Sequence, residues 1–256
     1  MRFQASAARI AFGGFLIAWI LALVASFGTR LGWWNLQTGF LILLPAISAG
    51  AIGLLCGVAW MWSALARNES TGARWGVIGL IGSAIAVGIP LNDARLAMIS
   101  PPIHDISTDI EYAPAFKTVL PLRAGATNGP DYDGPRTLVY DGKKTTVSAL
   151  QKKYYEDVIP YIVFGKPLAI FWRGLNAANA MGWHVVSFDP KTLRIEATES
   201  SFWFGLTDDI VIRVKPAGKL GARLDIRSKS RVGENDMGAN AARIRAFVKE
   251  LKELSR

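Results

Sequence analysis

The chain has 256 residues, of which 51% are hydrophobic and 19% are charged, and its formal net charge is +9. An excess of positive charge of this size is usual for proteins that it merely keeps soluble. No basic segment is interleaved with aromatic residues, which argues against a nucleic-acid partner. Cys56 is the only cysteine, and the histidines are His104 and His184, so the composition excludes disulfide bonds within the chain and cysteine- or histidine-rich zinc sites. The sequence also lacks a phosphate-binding loop, a dinucleotide fingerprint and a serine-hydrolase elbow, and we therefore expect no cofactor and no metal.

Three long apolar runs, at residues 10–27, 39–65 and 75–91, dominate the first part of the chain, and none has a charged residue in its interior. Each approaches or exceeds the ~20 residues with which a helix crosses a bilayer. The first run is longer than the core of a signal peptide, so we expect it to be retained. The pattern predicts a membrane anchor of three transmembrane helices at 1–99 and a soluble domain at 100–256.

The distribution of arginines indicates how this anchor is oriented. Arg2 and Arg9 precede the first run and Arg67 and Arg74 flank the second loop, whereas the first loop holds only Arg30. Because positively charged loops stay in the cytoplasm, the N-terminus is predicted to be cytoplasmic. Three crossings then place the soluble domain on the opposite side of a bacterial inner membrane, which is the periplasm in a Gram-negative host.

Small residues recur at helical spacing in the second and third runs, where they let helix backbones approach closely. Two interpretations follow: the three helices pack on one another, or these residues form a docking face for a membrane-protein partner. The run interiors hold no ionisable residue, which argues against a transporter or a channel. The small residues in question are Ala49, Gly53, Gly57, Gly79 and Ser83.

The soluble part is predicted to be an α+β domain, an antiparallel sheet with helices on one face. Residues 103–135 are rich in proline, glycine, aspartate and asparagine and predict irregular surface chain, while 151–165 predicts extended chain. Helical spacing predicts a helix at 167–181, and Asn235 or Asp236 is expected to cap a closing helix. The predicted strands are 137–140, 183–188, 192–199, 210–215 and 223–230.

Two segments of the soluble part have a distinctive sequence. Residues 202–214 are FWFGLTDDIVIRV, and residues 225–244 are DIRSKSRVGENDMGANAARI. Both resemble characteristic stretches of the DUF1499 family, a domain of unknown function in bacteria and plastids, and the resemblance extends over about residues 101–254. It implies a fold unit and no established reaction. Residues 104–109 occupy the place of a cysteine-containing element that many members carry, so any role of that cysteine does not transfer.

The segment from Arg227 to Arg231 is the best candidate for a ligand site. It places two arginines and two serines just ahead of a predicted helix, whose N-terminal N–H groups and dipole attract anions. Arginine adds bidentate contacts to phosphate or carboxylate groups. We therefore predict an anion-binding site built from Arg227, Ser228, Ser230, Arg231, Asp236, Asn240 and Arg243.

The alternation of a strand limits this site and leaves a structural interpretation open. Ser228 and Ser230 fall on one face, and Arg227 and Lys229 fall on the other, so one ligand reaches all of them only if the strand bends. In the structural interpretation, Asp236 caps the closing helix and the serines bond to nearby backbone. The arginines would then pair with Asp225, Glu196 or Asp208.

The other candidates for chemistry are weaker. Asp208 and Asp209 are neighbours on a strand, so they are expected to point to opposite faces rather than to form a catalytic pair. His104 is interpreted as a surface histidine. Trp183 and the aromatic residues 202–204 are interpreted as core, with one or two of them lining an apolar pocket or touching lipid headgroups.

Together these features predict a bacterial inner-membrane protein whose exported domain binds something in the envelope without catalysis. The ligand would be an anionic lipid, a cell-wall fragment or a partner protein. Two alternatives stay open. One is a membrane-tethered hydrolase that uses His104 or Asp208 with Arg227 or Arg231 as an anion clamp. The other is a scaffold subunit assembled through the glycine-lined helices.

Overall fold

The computed structural model describes residues 2–68, 70–219 and 221–254. Contacts between residues divide the chain into two compact units. The first contains the described residues up to Arg95 together with Phe202–Gly205. The second contains Leu96–Ser201 and the described residues from Leu206 onwards.

Three helices form most of the first unit: α1 (Arg2–Arg30), α2 (Leu36–Arg67) and α3 (Ala73–Ile99). All three are long and apolar enough to cross a membrane, so the prediction of three long apolar helices is confirmed. Each helix extends beyond its apolar run, because polar residues continue the helical hydrogen bonding at both ends. Asn35 caps the start of α2, where its side chain accepts a hydrogen bond from the Thr38 N–H at 2.9 Å.

The small residues of these helices lie at the places where the helices touch. A Cβ atom on Gly53 would lie 2.4 Å from the Ser83 Oγ, and one on Gly79 would lie 2.4 Å from the Ala11 carbonyl carbon. A Cβ atom on Gly57 would lie 2.9 Å from the Leu80 Cα of α3. No larger side chain fits at these contacts, so the small residues pack the three helices on one another, as the first interpretation proposed. Docking of a membrane partner through them stays a prediction.

Phe202–Gly205 packs on the α1 and α2 helices of the first unit. The Phe204 N–H donates to the buried Ser26 Oγ at 3.1 Å, and the Phe202 carbonyl accepts from the Arg30 Nη1 at 3.0 Å. The Phe204 ring lies 5.3 Å from the ring of Phe40, measured between centroids. These four residues are therefore held by specific hydrogen bonds and ring contacts, which nothing in the sequence predicts.

An antiparallel sheet with helices on one face forms the second unit, which confirms the predicted fold class. The strand order is β1-β8-β7-β6-β5, and β4 also pairs with β8, while β2 and β3 form a separate hairpin. The strands are β1 (Asp105–Ser107), β2 (Thr137–Tyr140), β3 (Lys143–Thr146), β4 (Tyr161–Phe164), β5 (His184–Asp189), β6 (Arg194–Ser200), β7 (Thr207–Ala217) and β8 (Gly221–Ser230), and the helices are α4 (Val147–Tyr154), α5 (Pro167–Ala180) and α6 (Ala239–Glu253).

Two stretches differ from the prediction. Residues 103–135 contain β1 and the fully buried Ile103, so the segment is not simply surface chain. Residues 151–165 are not extended throughout, because the α4 helix covers their first four positions. The Thr146 hydroxyl accepts a hydrogen bond from the Ala149 N–H at 3.2 Å and starts this helix. Such a cap is a local signal that outweighs the β preference of the tyrosines that follow.

The sheet has two faces of opposite character. Alternate residues of β7 and β8, including Ile212, Leu224 and Ile226, join the apolar core beneath α5 and α6. The residues between them point the other way, toward the chain from 109 to 135, which we call the cover segment. We call this second side the charged face; its most deeply buried members are Asp105, Glu196, Asp209, Asp225, Arg227 and Lys229.

Candidate functional site

Arg227 lies at the centre of the charged face and is completely buried. Its Nε and Nη2 atoms each donate to the Asp105 carboxylate at 2.8 Å, a bidentate pair. The same guanidinium donates to the carbonyls of Pro130 and Asp131 at 3.0 and 2.8 Å, and its carbon lies 4.6 Å from the centre of the Phe116 ring. Arg227 therefore binds the cover segment to the sheet.

Lys229 continues this network to Asp133 and His104. The Lys229 Nζ lies 3.0 Å from the Asp133 Oδ1, and the His104 Nε2 lies 3.0 Å from the Asp133 Oδ2. Partial burial favours a raised pKa for Asp133, but the hydrogen bonds from His104 and Lys229 and their positive charges outweigh it and hold that pKa well below its ordinary value. The His104 Nδ1 lies 3.2 Å from the Glu234 carbonyl oxygen. The prediction of a surface histidine is wrong, since His104 is only 5% exposed.

Asp209 forms a second centre of the charged face. The Arg231 Nη2 donates to its carboxylate at 2.7 Å, and the Arg123 guanidinium contacts it from the cover segment. Arg231 also donates to the Leu122 carbonyl at 2.6 Å. Asp208, the neighbouring residue, points to the other side of the sheet and meets Arg243 at 2.6 Å. The two carboxylates thus lie on opposite faces, as strand alternation predicts.

Glu196 holds the cover segment by its backbone. Its buried carboxylate accepts hydrogen bonds from the N–H groups of Lys117, Thr118 and Val119 at 2.8 to 3.1 Å, and from the Arg194 Nε at 2.7 Å. Four donors on one carboxylate satisfy its capacity as an acceptor. Glu196 therefore has a structural role: it fixes the backbone of the cover segment at residues 117–119.

The polar side chains on the helix side of β8 form a separate cluster. The Ser228 Oγ donates to the Asn240 Oδ1 at 2.5 Å, and the Asn240 Nδ2 donates to the Ser230 Oγ at 2.9 Å. The Arg243 Nη1 donates to both Ser228 and Asn240, at 3.0 and 2.7 Å. The serines thus bond to side chains of α6, and the expectation that they bond to nearby backbone is wrong.

The α6 helix has Gly238 as its N-cap residue, so the prediction that Asn235 or Asp236 occupies the cap is wrong. The Asp236 carboxylate still accepts hydrogen bonds from the N–H groups of Gly238 and Asn240, at 2.8 and 2.9 Å. Burial raises the pKa of Asp236 above its ordinary value in spite of these bonds. Asn235 serves the end of another helix, since its Nδ2 donates to the Ala97 carbonyl of α3 at 3.0 Å.

The seven residues of the predicted anion site therefore divide between the two faces of the sheet. Arg227 and Arg231 lie on the charged face, and the other five lie with α6. Each of the seven bonds to the protein itself. The arginine partners in the structural interpretation are also corrected: Arg227 and Arg231 pair with Asp105 and Asp209. Asp105 was missed because it lies 122 positions away from Arg227 in the sequence. Anion binding by the seven residues stays a prediction.

A groove of about 460 Å³ lies between α6 and the chain at 157–161, and we call it the α6 groove. Apolar and aromatic groups form its floor, including Ile159 and Tyr161, while three cationic side chains and one acidic side chain line it. The Lys252 Nζ lies 5.2 Å from the centre of the Tyr161 ring. The residues that line the groove are Asp157, Val158, Ile159, Pro160, Tyr161, Ile244, Arg245, Val248, Lys249 and Lys252.

A second groove, of about 620 Å³, shares residues 158–160 with the first. Charges of both signs line it, among them Asp109, Glu111, Lys152 and Arg223. The Arg223 Nη2 lies 2.7 Å from the Asp109 carboxylate, so these two charges satisfy each other. The α6 groove thus has the clearer excess of one charge.

Metal chemistry has no visible basis in the described part of the chain. Within residues 2–68, 70–219 and 221–254, no group of three or more histidine, cysteine, aspartate or glutamate side chains is arranged to hold a metal ion. The acidic side chains of the charged face meet arginine, lysine or backbone N–H groups instead.

Comparison with known protein families gives one match. The sequence model of the DUF1499 family, described as a protein of unknown function, matches residues 105–251. The match covers more than half of the chain and includes both distinctive segments. Within the described residues, the matched region contains the charged face and the polar cluster of Ser228, Ser230, Asn240 and Arg243. Comparison with curated proteins finds no match.

Proposed function

The chain belongs to the DUF1499 family, and we propose that it is a membrane-anchored, non-catalytic binding protein whose sheet unit holds an anionic amphiphile in the α6 groove. Three helices able to cross a bilayer support the anchoring. The proposed location is the bacterial inner membrane, with the sheet unit on the periplasmic side. An anionic lipid of the envelope is the ligand class that combines the required charge and apolar chain.

The α6 groove is the observation that carries this proposal. Its floor offers apolar surface, and Lys249 and Lys252 supply the excess positive charge of its lining, since Arg245 pairs with the single acid Asp157. Burial of a hydrocarbon chain along the floor is favourable at roughly 25 cal/mol per Å² of apolar surface. Exposed lysines attract a negatively charged head group without having to break strong bonds to the protein, since the side chain of Lys249 is 79% exposed.

The engagement of the chemically reactive side chains favours binding over catalysis. His104 meets the acceptors Asp133 and Glu234 with both ring nitrogens, and Asp208 is paired with Arg243. A general base needs a nitrogen or a carboxylate within reach of the substrate proton. The hydrolase alternative would require these bonds to be broken first.

Calorimetry on the full chain in phosphatidylcholine nanodiscs tests the proposal, with empty nanodiscs subtracted to remove partitioning into lipid. Dodecyl phosphate should bind, whereas the cationic dodecyltrimethylammonium and the chainless inorganic phosphate should not. Lys249→Glu combined with Lys252→Glu should weaken dodecyl phosphate binding at least about tenfold, because charge-assisted contacts are replaced by repulsion.

Lys143→Glu combined with Lys144→Glu is the matched control, because it makes the same net charge change on the β3 strand, outside the groove. This double variant should bind as the unmodified chain does. If it weakened binding equally, the effect would come from the net charge of the protein rather than from the groove. Binding of dodecyltrimethylammonium with similar affinity would contradict an anion-selective groove.

The proposed orientation has its own test. Alkaline phosphatase fused to the C-terminus should be active in a Gram-negative host, and the same enzyme fused after Asn68 should be inactive, because the arginine distribution keeps that loop in the cytoplasm. The reverse pattern would place the sheet unit in the cytoplasm and leave the groove proposal itself untouched.

A further inference from the structure

The β4 strand lies at an open edge of the main sheet. It pairs with β8 on one side, and no other strand in the described part of the chain pairs with it. Its alternate residues Ile162 and Phe164 are 60% and 87% exposed. An edge strand carries a row of unpaired N–H and C=O groups, and exposed apolar side chains on it make a template for another strand.

The β5 strand at the opposite edge of the sheet has features that prevent an edge strand from pairing with another chain. The β5 strand contains a register shift between Val185 and Ser187 and ends at Asp189. Bulges and charged or polar side chains on an edge strand discourage pairing with another chain. The β4 strand has neither a charged residue nor a proline among its four residues and pairs with β8 without a shift. Its open edge is therefore a candidate interface.

We propose that β4 pairs antiparallel with the β4 strand of a second copy of this chain. A two-fold axis through Val163 sets Ile162 of each copy opposite Phe164 of the other, on the same face. Glu156 precedes the strand and Lys166 follows it. Antiparallel pairing places Glu156 of one copy and Lys166 of the other at the same end of the strand pair, whereas parallel pairing places two like charges at each end. The strand is thus complementary to itself.

A second strand fits this edge better than a lipid surface does. Hydrocarbon offers no partner to the unpaired backbone groups of β4, and open sheet edges do not occur within the lipid core. Two copies anchored in one bilayer also meet at a raised effective concentration, which favours even a short strand pairing. The inference does not depend on the α6 groove, because neither Ile162 nor Phe164 lines that groove.

Sedimentation of the full chain in detergent micelles tests the pairing. The unmodified protein should contain twice the 27.8 kDa protein mass of one chain. Ile162→Lys should weaken the association at least about tenfold, because a lysine on an edge strand opposes pairing. Phe188→Lys is the matched control, since Phe188 is 51% exposed on the other edge, and it should leave the dimer intact. A monomeric unmodified chain, or a dimer unaffected by Ile162→Lys, would overturn the proposal.

Cross-linking in membranes supplies a second readout that does not depend on detergent. In a Cys56→Ser background, Phe164→Cys should give a covalent homodimer with a short bismaleimide, and Phe188→Cys should not. Cross-linking of both variants to the same extent would indicate random collision and count against the interface. Adducts of Phe164→Cys with other proteins, without the homodimer, would assign the edge to a different peptide partner and reject self-pairing.

Discussion

The two faces of the main sheet are both buried, yet they are held by different forces. Beneath α5 and α6, side chains such as Leu224 and Ile226 pack against apolar neighbours. Across the same strands, Arg227 and its neighbours meet charged partners and carbonyls beneath the cover segment. Residues two positions apart on β8 share one environment, and adjacent residues have opposite ones.

Because of this difference, the two faces of the sheet should tolerate substitutions to different degrees. An apolar face responds to a lost methyl group in proportion to the contacts removed. A buried ionic face responds much more strongly, because removing one partner leaves an uncompensated charge away from water. The acids and bases of the charged face are therefore expected to act as a set that holds the cover segment, and four predictions test that comparison.

Arg227→Met should have the largest effect, because it removes the bidentate partner of the fully buried Asp105. Breaking such a pair costs about 3–5 kcal/mol of unfolding free energy. Pulse proteolysis of the full chain in micelles, across a urea series, would measure the loss. Adding Asp105→Leu to the same chain should restore part of it, since this removes a buried carboxylate whose remaining cationic partner is Lys229 at 3.3 Å. A loss below about 1 kcal/mol in the single variant would show that the pair is not structurally important.

Acid should weaken the charged face before the apolar face. The pKa of Asp133 is lowered in the folded protein, so its contribution is present above the ordinary value of 3.8 and is lost as the pH falls below it. The unmodified chain should therefore lose more stability between about pH 6 and about pH 3 than Asp133→Asn does. Asp141→Asn, in the exposed turn of the β2–β3 hairpin, should follow the unmodified chain. Identical pH profiles for all three proteins would contradict this role.

Ile226→Val should have a moderate effect on the apolar face. It deletes one methylene group from a fully buried side chain, which costs about 0.5–1.5 kcal/mol. In the same proteolysis series, the loss of unfolding free energy should be well below that of Arg227→Met, although the two positions are adjacent on β8. A loss as large as that of Arg227→Met would remove the contrast between the faces.

Arg245→Met should have the smallest effect, although Arg245 and Asp157 also form a two-bond pair, at 2.6 Å for each bond. Their side chains are 43% and 54% exposed, so water replaces the lost partner. Exposed pairs contribute about 0.2–1 kcal/mol. High salt should reduce this small difference further, whereas the cost of Arg227→Met should hardly change.

Much of the fold could be predicted because its signals are local. The three apolar runs indicate membrane-spanning helices by length alone, and α5 follows from Pro167 at its start and Gly182 beyond its end. The alternation on β8 correctly separated Arg227 from Ser228. The β1 strand was missed because so short an element is stabilised mainly by what it packs against, whereas α4 was missed although the Thr146 cap marks its start.

The candidate site was harder to predict than the fold. The distinctive segment at 225–244 drew attention to Arg227 and Arg231, but the cap of α6 was predicted two positions too early at Asp236, because Gly238 is the N-cap residue. Their partners were not predicted, because Asp105 and Asp209 are acidic residues like several others along the chain. No sequence pattern predicted the α6 groove, because lysines such as Lys249 and Lys252 are common on the exposed face of any surface helix.

The sequence by itself determined the membrane spans, the antiparallel order of the last strands and the two-sided pattern of β8. These features depend on the spacing of apolar residues within one segment, and the thickness of a bilayer or the pleat of a strand sets that spacing. Only the tertiary structure decided that Arg227 meets Asp105, that His104 is buried, and that Phe202–Gly205 packs on α1 and α2. Such pairings join segments far apart in the chain, and the charges involved become strong partners only where folding removes water from around them.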